Sequence, residues 1–303
     1  KKSVGYFRPA GVSEVYAAVA ALSETGVAAV TELCEYLDVS RSAFYAWRDH
    51  EPTIHERQDD LLKPLVRIVF RRHRRRYGAR RIADDLRDLG HVVSAQRVAR
   101  LLKIQGLRAI QPKSFQPKTT DSRHRLGYSP NLLLDEEDPV QLNQLWVGDI
   151  TYIPLAGGVF AYLALLMDRC SRRIVGWSLQ EDMQEGLVLQ ALRTAIRARR
   201  PPEGLIHHTD RGGQYAGTEY RAVLRRAGVR QSMSRPDNCY DNAFMESCFG
   251  TLKRELEMTE YENQRVASRE IAEFIRYYNH DRKHSALEYL KPAQFEDLIT
   301  PPK

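Results

Sequence analysis

Hydrophobic positions change their period twice along this chain. Up to about residue 110 they fall three and four apart, the spacing of helices with one buried face. Val27, Val30, Leu33 and Cys34 follow that rule, Leu37-Asp38-Val39 supplies a short turn, and Ser40 predicts a cap for a helix over Arg41–Arg48. The unit has helix-turn-helix dimensions, which are also those of a plain helical hairpin. Further on, Leu61, Leu65, Ile68 and Val69 predict another helix, with Pro64 near its start or kinking it. Tyr77-Gly78 breaks that helix. Ile82, Leu86 and Leu89 form the next apolar face, Gly90 ends it, and Ser94 caps a helix carrying Val98, Leu101 and Leu102. From Gln111 to Gln144 the periodicity fades, and Pro112, Pro117, Pro130 and Pro139 among lysines, serines and arginines predict a linker.

Beyond Leu145 the pattern becomes that of strands. Trp146–Ile153 alternates and is rich in β formers, Gly157-Gly158 is a hairpin turn, and Val159–Met167 is an almost unbroken apolar run, as in a strand buried on both faces. Asp168–Arg172 turns, and Arg173–Leu179 is a third strand. Helical spacing returns over Gly186–Arg199, which Pro201-Pro202 stops. A short strand over Gly204–Thr209 delivers Asp210 at its end, before Arg211-Gly212-Gly213. A helix over Ala216–Ala227 and a last strand over Val229–Met233 follow. Pro236, Asp237, Asn238, Asp241 and Asn242 then form a loop that caps a helix with Met245, Phe249, Leu252 and Leu256 on its buried stripe. Near the end, Ile271, Phe274, Ile275 and Tyr278 share one face of another helix. Hairpin strands followed by alternating helices and strands predict an α/β fold with a sheet of mixed direction, preceded by an all-α region. The expected domains are a helical region at 1–55, a basic helix-turn-helix unit at 56–110, a linker at 111–144, an α/β core at 145–260 and a helical extension at 261–303.

Charge adds a partner to this picture. The 303-residue chain carries a net charge of +7, which favours a polyanion such as DNA. The excess is local: Arg71-Arg72-His73-Arg74-Arg75-Arg76 sits beside the second helical pair, where arginines can neutralise DNA phosphates or simply face solvent. Candidate DNA contacts are Arg41 and Arg48 in the first unit and Arg74, Arg75, Arg76, Arg80, Arg81 and Arg97 in the second. Cys34, Cys170, Cys239 and Cys248 form no CxxC pair and no zinc spacing, as expected for free thiols in a reducing cytoplasm. No window approaches the unbroken apolar run of ~18 residues that a membrane helix needs, and no signal peptide opens the chain. A cytoplasmic, nucleoid-associated protein is expected. The chain begins Lys1-Lys2 rather than Met, so an upstream start or a fused reading frame is expected as well.

Three acids stand out against their surroundings. Asp149 lies mid-strand among apolar residues, where a charge is unfavourable unless something compensates it. Asp210 ends a strand 61 residues later, and Glu246 follows Asp210 with 35 residues between, one position off a buried helical stripe. Lys253 lies seven residues beyond Glu246, about two turns and roughly 10 Å along the same face. Mg²⁺ takes such carboxylates and keeps several waters, and two ions about 3.5–4 Å apart stabilise both the attacking and the leaving oxygen of a phosphodiester. Singly, each acid has a plainer reading: an edge-strand charge, a turn residue before glycines, and a surface helix residue. Asp168 is read as a turn residue, and His207 and His208 as structural, with His208 also within reach of a scissile phosphate. Tyr278, Asn279, Arg282 and His284 either contact DNA or close the domain.

The motifs WVGDITYIPL, HHTDRGGQY and PDNCYDNAFMESCFGTLKRE resemble the catalytic blocks of insertion-sequence transposases with a retroviral-integrase-like core. The match is to the second-frame protein, OrfB, of the IS-three family. The segments YGARRIADDLRDLGHVVSAQRVARLLKIQGLRA and YYNHDRKHSALEYLKPAQFE are similar to that family's basic helix-turn-helix and C-terminal block. The resemblance covers essentially the whole chain, with small departures at Gly148, Thr209 and Pro64.

What the resemblance implies is a ribonuclease-H-like fold and a DDE recombinase that cleaves and transfers DNA strands. Asp149, Asp210 and Glu246 would be the catalytic residues and ligands of two Mg²⁺ ions, with Mn²⁺ as a substitute, and Lys253 would contact the element's DNA end. Partners would be double-stranded DNA, both inverted-repeat ends and target, a second copy of the chain, and an upstream-frame protein. The zinc module of retroviral integrases is missing, so binding of DNA ends would rest on the N-terminal helices. Two alternatives stay open: a non-catalytic DNA-binding regulator, and a nuclease of this fold that never joins strands.

Overall fold

The computed structural model describes residues 11–110, 127–134, 138–235, 243–257 and 260–300. Pro112, Pro117, Pro236, Asp237, Asn238, Cys239, Asp241 and Asn242 lie outside the described residues. Contacts divide the chain into two compact units, Lys1–Leu65 and Val66–Lys303. The first unit holds α1 (Gly11–Glu24), α2 (Val30–Tyr36) and α3 (Arg41–Arg48). Its core is Tyr16, Val19, Leu33, Cys34 and Phe44, with Tyr16 and Phe44 packed edge to face at 6.1 Å. Ser40 caps α3 as expected, its hydroxyl accepting the Ala43 N–H. Helix α1 has no counterpart in the expected pattern, because its apolar stripe is diluted by alanines. Val27, assigned to a helix by spacing, precedes α2 and is exposed.

Helix α4 (Ile54–Arg72) carries two apolar stripes one residue apart; of the expected set Val69 is buried and Leu65 half-buried, while Leu61 and Ile68 face out. The buried set is Leu62, Val66, Val69 and Phe70, whereas Leu61 and Ile68 are 72% and 61% exposed. Pro64 lies inside the helix rather than at its start. Next come α5 (Ala79–Asp88) and α6 (Ala95–Ile104), which bury Ile82, Ala83 and Leu86 against Val98, Leu101 and Leu102. Ser94 caps α6 through the Arg97 N–H. Leu89 falls at the end of α5 and is exposed instead of completing its face.

The sheet has five strands: β1 (Leu145–Leu155), β2 (Val159–Asp168), β3 (Ile174–Gln180), β4 (Ile206–Thr209) and β5 (Arg230–Met233), in the order β3-β2-β1-β4-β5. The β1-β2-β3 meander is antiparallel, and β4 and β5 run parallel to β1. Both faces are covered, as the long apolar runs require. On one face Leu145, Val147, Ile153 and Leu155 pack with α9 (Ala243–Glu255) and α10 (Gln264–His280). On the other, Trp146, Ile150 and Leu166 pack with α7 (Glu185–Arg199) and α8 (Thr218–Arg226). Gly176 allows the close approach of α7: a Cβ there would lie 2.4 Å from the Ala191 carbonyl oxygen. The mixed α/β sheet preceded by helices is the architecture expected from the sequence. Among the described residues no helix is long and apolar enough to cross a membrane.

The C-terminal block binds the second unit together through buried polar groups. Asn279 bonds both the N–H and the C=O of Ile174, each at 2.9 Å, in the manner of a neighbouring strand. Lys283 reaches Asp84, Asp85 and Asp88 of α5, and the Tyr77 hydroxyl accepts the Lys283 N–H while donating to the Asp281 carbonyl. Glu296 of α11 (Pro292–Ile299) accepts from Arg173, Arg199 and Ser171. At the end of α9, Glu255 holds Arg282 at 2.9 Å, with both side chains nearly fully buried. Glu255→Gln would leave that guanidinium buried beside a neutral amide, for a loss of ~3 kcal/mol, or roughly 6–12 °C in melting temperature. Glu219→Gln, in an exposed pair with Arg193, should cost under about 1 kcal/mol. Calorimetry that showed equal losses for the two would refute the clamp.

Candidate active site

Strand register brings the first two acids together. Leu145 pairs with Ile206, Trp146 with His207 and Val147 with His208, a constant offset of 61. Asp149 and Asp210 are also 61 apart, and Asp210 follows the last residue of β4, so the same register carried on would set the two level, on backbones ~4.8 Å apart. Alternation sets their face. Asp149 shares parity with Leu145 and Val147, and Asp210 with Ile206, all of which line the core beneath α9 and α10. Local main chain holds each carboxylate: Asp149 Oδ1 accepts the Ile150 N–H at 2.8 Å, and Asp210 Oδ1 accepts the Gly212 N–H at 2.9 Å. Gly148 is required beside them, because a Cβ there would meet the buried His207 ring at 2.8 Å.

Helix α9 supplies the third acid. Met245, Phe249 and Leu252 are buried as the stripe predicts, with Leu256 packed at its end, and Glu246 is exposed at the edge. Lys253, half-buried, lays its ammonium over the Tyr152 ring at 4.0 Å. Tyr152 is a participant that sequence reasoning missed; only its place three residues after Asp149 signals it.

Electrostatics couple Asp149 to the other two acids. Asp149 is held well above the usual carboxylate range, first by burial, then by the negative charges of Asp210 and Glu246, against the pull of the Ile150 N–H and Lys253. Burial lowers the Lys253 ammonium below its ordinary value, and Asp149 opposes that shift. Among the described residues, no group of three His, Cys, Asp or Glu lies close enough to hold a metal ion. The donors are nevertheless oxygen-only carboxylates with unfavourable mutual charge, the set that a hard divalent cation fits. Ionising Asp149 works against folding. That penalty is absent below about pH 4, grows as pH rises through the raised value, and is complete above it. Asp149→Asn removes it. At neutral pH in chelator-treated buffer the variant should melt above wild type by ~2–4 °C per kcal/mol relieved, and the gap should close as the pH falls. Identical melting at neutral pH would contradict the repulsion.

The remaining candidates sort by burial. His207 is fully buried against the Tyr220 hydroxyl at 2.6 Å, and burial pushes it down to about 4. His208 is fully buried too, bonded to Ser232 and Ser234, so it cannot present itself to a phosphate as placed. Asp168 accepts the N–H groups of Asn143, Cys170 and Ser171, a turn role as expected. Tyr278 and Asn279 are buried, and Arg282 lies in the Glu255 clamp with His284 beside it, which favours closing the domain over touching DNA.

The basic residues divide likewise. Arg41 and Arg80 are exposed, and Arg48 pairs with Asp49. Arg74 and Arg75 are exposed near Glu273 and Glu257, and Arg97 is half-buried. Arg76 packs over Tyr277 at 4.6 Å and donates to the Glu255 carbonyl, and Arg81 lies 3.8 Å from Glu255. The last two are therefore built into the junction between the basic helices and the core.

Comparison with known proteins follows this geometry. Residues 139–239 match the integrase core domain family, residues 227–292 match a second integrase core domain description, and residues 56–115 match an HTH-like domain. A 31 kDa uncharacterized protein of insertion element IS600 from Shigella sonnei is 42% identical over 267 residues, covering 88% of this chain and 97% of the relative. The transposase InsF of insertion sequence IS3A from Escherichia coli K12 is 39% identical over 276 residues, covering 88% and 94%. The HTLV-2 integrase catalytic core domain in complex with magnesium, at 15% identity and a TM-score of 0.40, covers 51% of this chain and 96% of that one. The chain thus belongs to the insertion-sequence transposases of the IS3 type, with an integrase core domain behind an HTH-like domain.

Proposed function

We propose that this chain binds the ends of an insertion sequence and catalyses metal-dependent cleavage and transfer of DNA strands, with Asp149, Asp210 and Glu246 as its catalytic acids. The β1–β4 register, which carried on past Val147 and His208 would set Asp210 level with Asp149, supports the reading, together with the charges of Asp210 and Glu246 that bear on Asp149. Asp149, Asp210 and Glu246 would hold two Mg²⁺ ions, or Mn²⁺ in their place. When bound, the ions neutralise the three carboxylates and polarise the phosphodiester.

This chain's own groups do the positioning. Lys253, braced on Tyr152, offers a cation beside Asp149 for the phosphate of the strand to be cut. Water attacks phosphorus and the 3′ oxygen leaves, taking a proton to become a free hydroxyl. That hydroxyl then attacks another phosphodiester, so one P–O bond forms as one breaks and no protein intermediate is needed. Orientation and charge neutralisation account for the acceleration. Arg41 and Arg48 at α3, with Arg74, Arg75, Arg80 and Arg97, suit the duplex flanking the cut. Joining two ends favours two or more copies of the chain on DNA, together with an upstream-frame partner.

Labelled element-end duplex incubated with Mg²⁺ tests this directly. Wild type should nick and then join strands. Asp149→Asn, Asp210→Asn and Glu246→Gln should each lose about 10³-fold or more in nicking while gel-shift affinity for the ends holds within ~3-fold. Mg²⁺ should raise the melting temperature of wild type and not of Asp149→Asn. Retained cleavage in the variants would overturn the assignment. Nicking without joining would leave a nuclease, and end binding without nicking a regulator.

A further inference from the structure

The face of α9 next to the one carrying Glu246 and Lys253 borders a cleft with a volume of about 360 Å³. Ser247, Thr251 and Arg254 line it from the helix, and Arg81, Arg172, Arg282 and His284 from the elements opposite. At about 100° per residue, Ser247, Thr251 and Arg254 lie roughly 120° around α9 from Glu246 and Lys253, on a neighbouring face. Four guanidiniums border this cleft, and among the described residues no carboxylate does.

Among the described residues the positive charge is only partly compensated. Glu255 serves both Arg282 and Arg81 from behind. Asp138 is taken by Arg169, which packs with Arg172 on the Phe244 ring, each guanidinium 4.2 Å from its centre. Arg254 bonds the Thr251 hydroxyl, at 3.5 Å. Among the described residues neither Arg172 nor Arg254 forms an ion pair, and both are half-buried. His284, which faces Arg282 at 3.2 Å, is pushed down to about 2 by burial and then by Arg282, Arg81 and Arg172, so it adds a neutral ring. Clustered like charges in a half-buried cleft are unfavourable until an anion joins them.

We propose that this cleft holds a phosphodiester of the DNA backbone, on a stretch of strand separate from the one that faces Asp149. Guanidinium forks match phosphate oxygens, and the Ser247 and Thr251 hydroxyls add donors of the kind that position a backbone without reading its bases. Roughly 120° around α9 separates the cleft-lining residues from Glu246 and Lys253, so a phosphate in the cleft is not the one seated at the acids. The inference rests on the reading of the chain as a protein that acts on DNA, and it adds a contact on which that reading does not depend.

The test uses the full chain carrying Asp149→Asn, so that no cleavage intervenes, and a short random-sequence duplex. Anisotropy titrations over a range of salt give the slope of log affinity against log salt. Arg172→Ala with Arg254→Ala should flatten that slope by about one to two and weaken low-salt binding ~10–100-fold. Arg172→Lys with Arg254→Lys should keep the slope, which separates lost charge from lost folding. An unchanged slope in the alanine variant overturns the proposal. So does inorganic phosphate, if it raises the melting temperature of the parent and not of the alanine variant while duplex binding is unmoved, because the cleft then takes a free anion. Capture of polyglutamate in preference to duplex overturns it in favour of an acidic protein partner. Cleavage assayed separately with Asp149 intact distinguishes the two readings: a flattened slope without cleavage removes the catalytic function alone, and cleavage with an unmoved slope removes the cleft alone.

Discussion

Main-chain hydrogen bonds between β1 and β4 run parallel over Leu145–Val147 and Ile206–His208, and the geometry of the candidate site follows from that pairing. Because the side-chain period of a strand is two, a slip of one residue would turn Asp210 to the opposite face from Asp149. The buried neighbours forbid the slip. Trp146 and His207 sit on the α7–α8 face and Leu145 and Ile206 on the α9–α10 face, so a shifted register would strand each set against the wrong helices. The apolar packing of both faces is therefore what holds two carboxylates side by side. The Tyr220 hydroxyl on His207 fixes the strand further, and Gly148 leaves room for that ring.

Helix α9 depends on a different set of forces. Its buried stripe of Met245, Phe249 and Leu252 seats it on the sheet, and the Glu255–Arg282 pair anchors its far end. Its two remaining faces, roughly 120° apart, carry different chemistry: an acid and a lysine near Asp149, and a cationic cleft beside them. A buried ion pair is a poor source of stability but a strict one of geometry. The C-terminal block uses several of them, through Glu255, Lys283 and Glu296, to set the basic helices and α9 on one core.

Much of this was legible in the sequence, for reasons that differ by element. Strands β1 and β2 announce themselves because a sheet buried on both faces needs long β-branched and aromatic runs, and α3 and α6 because Ser40 and Ser94 cap them. Asp149 stands out because a lone charge inside such a run requires an explanation. Pairing of distant segments is less visible. The clamps of Arg282, Lys283 and Glu296 join residues far apart in sequence, so Arg76 and Arg81 read as DNA contacts while the fold uses them between its own parts. Helix α4 shows a further limit: with apolar stripes at both 61-65-68 and 62-66-69, spacing gives the helix and not its buried side. His208 looks available beside Asp210 in sequence, and only the packing of β5 with Ser232 and Ser234 reveals that it is enclosed.

The central claim is that Asp149, Asp210 and Glu246 form one divalent-metal site. Crystals soaked in Mn²⁺ and measured at its absorption edge would test it most directly. The account predicts anomalous peaks ~2.0–2.3 Å from carboxylate oxygens of Asp149 and Asp210, with Glu246 drawn in from the edge of α9 to complete the set. Peaks that settle elsewhere, or a crystal that takes up no metal between β1 and β4, would contradict it.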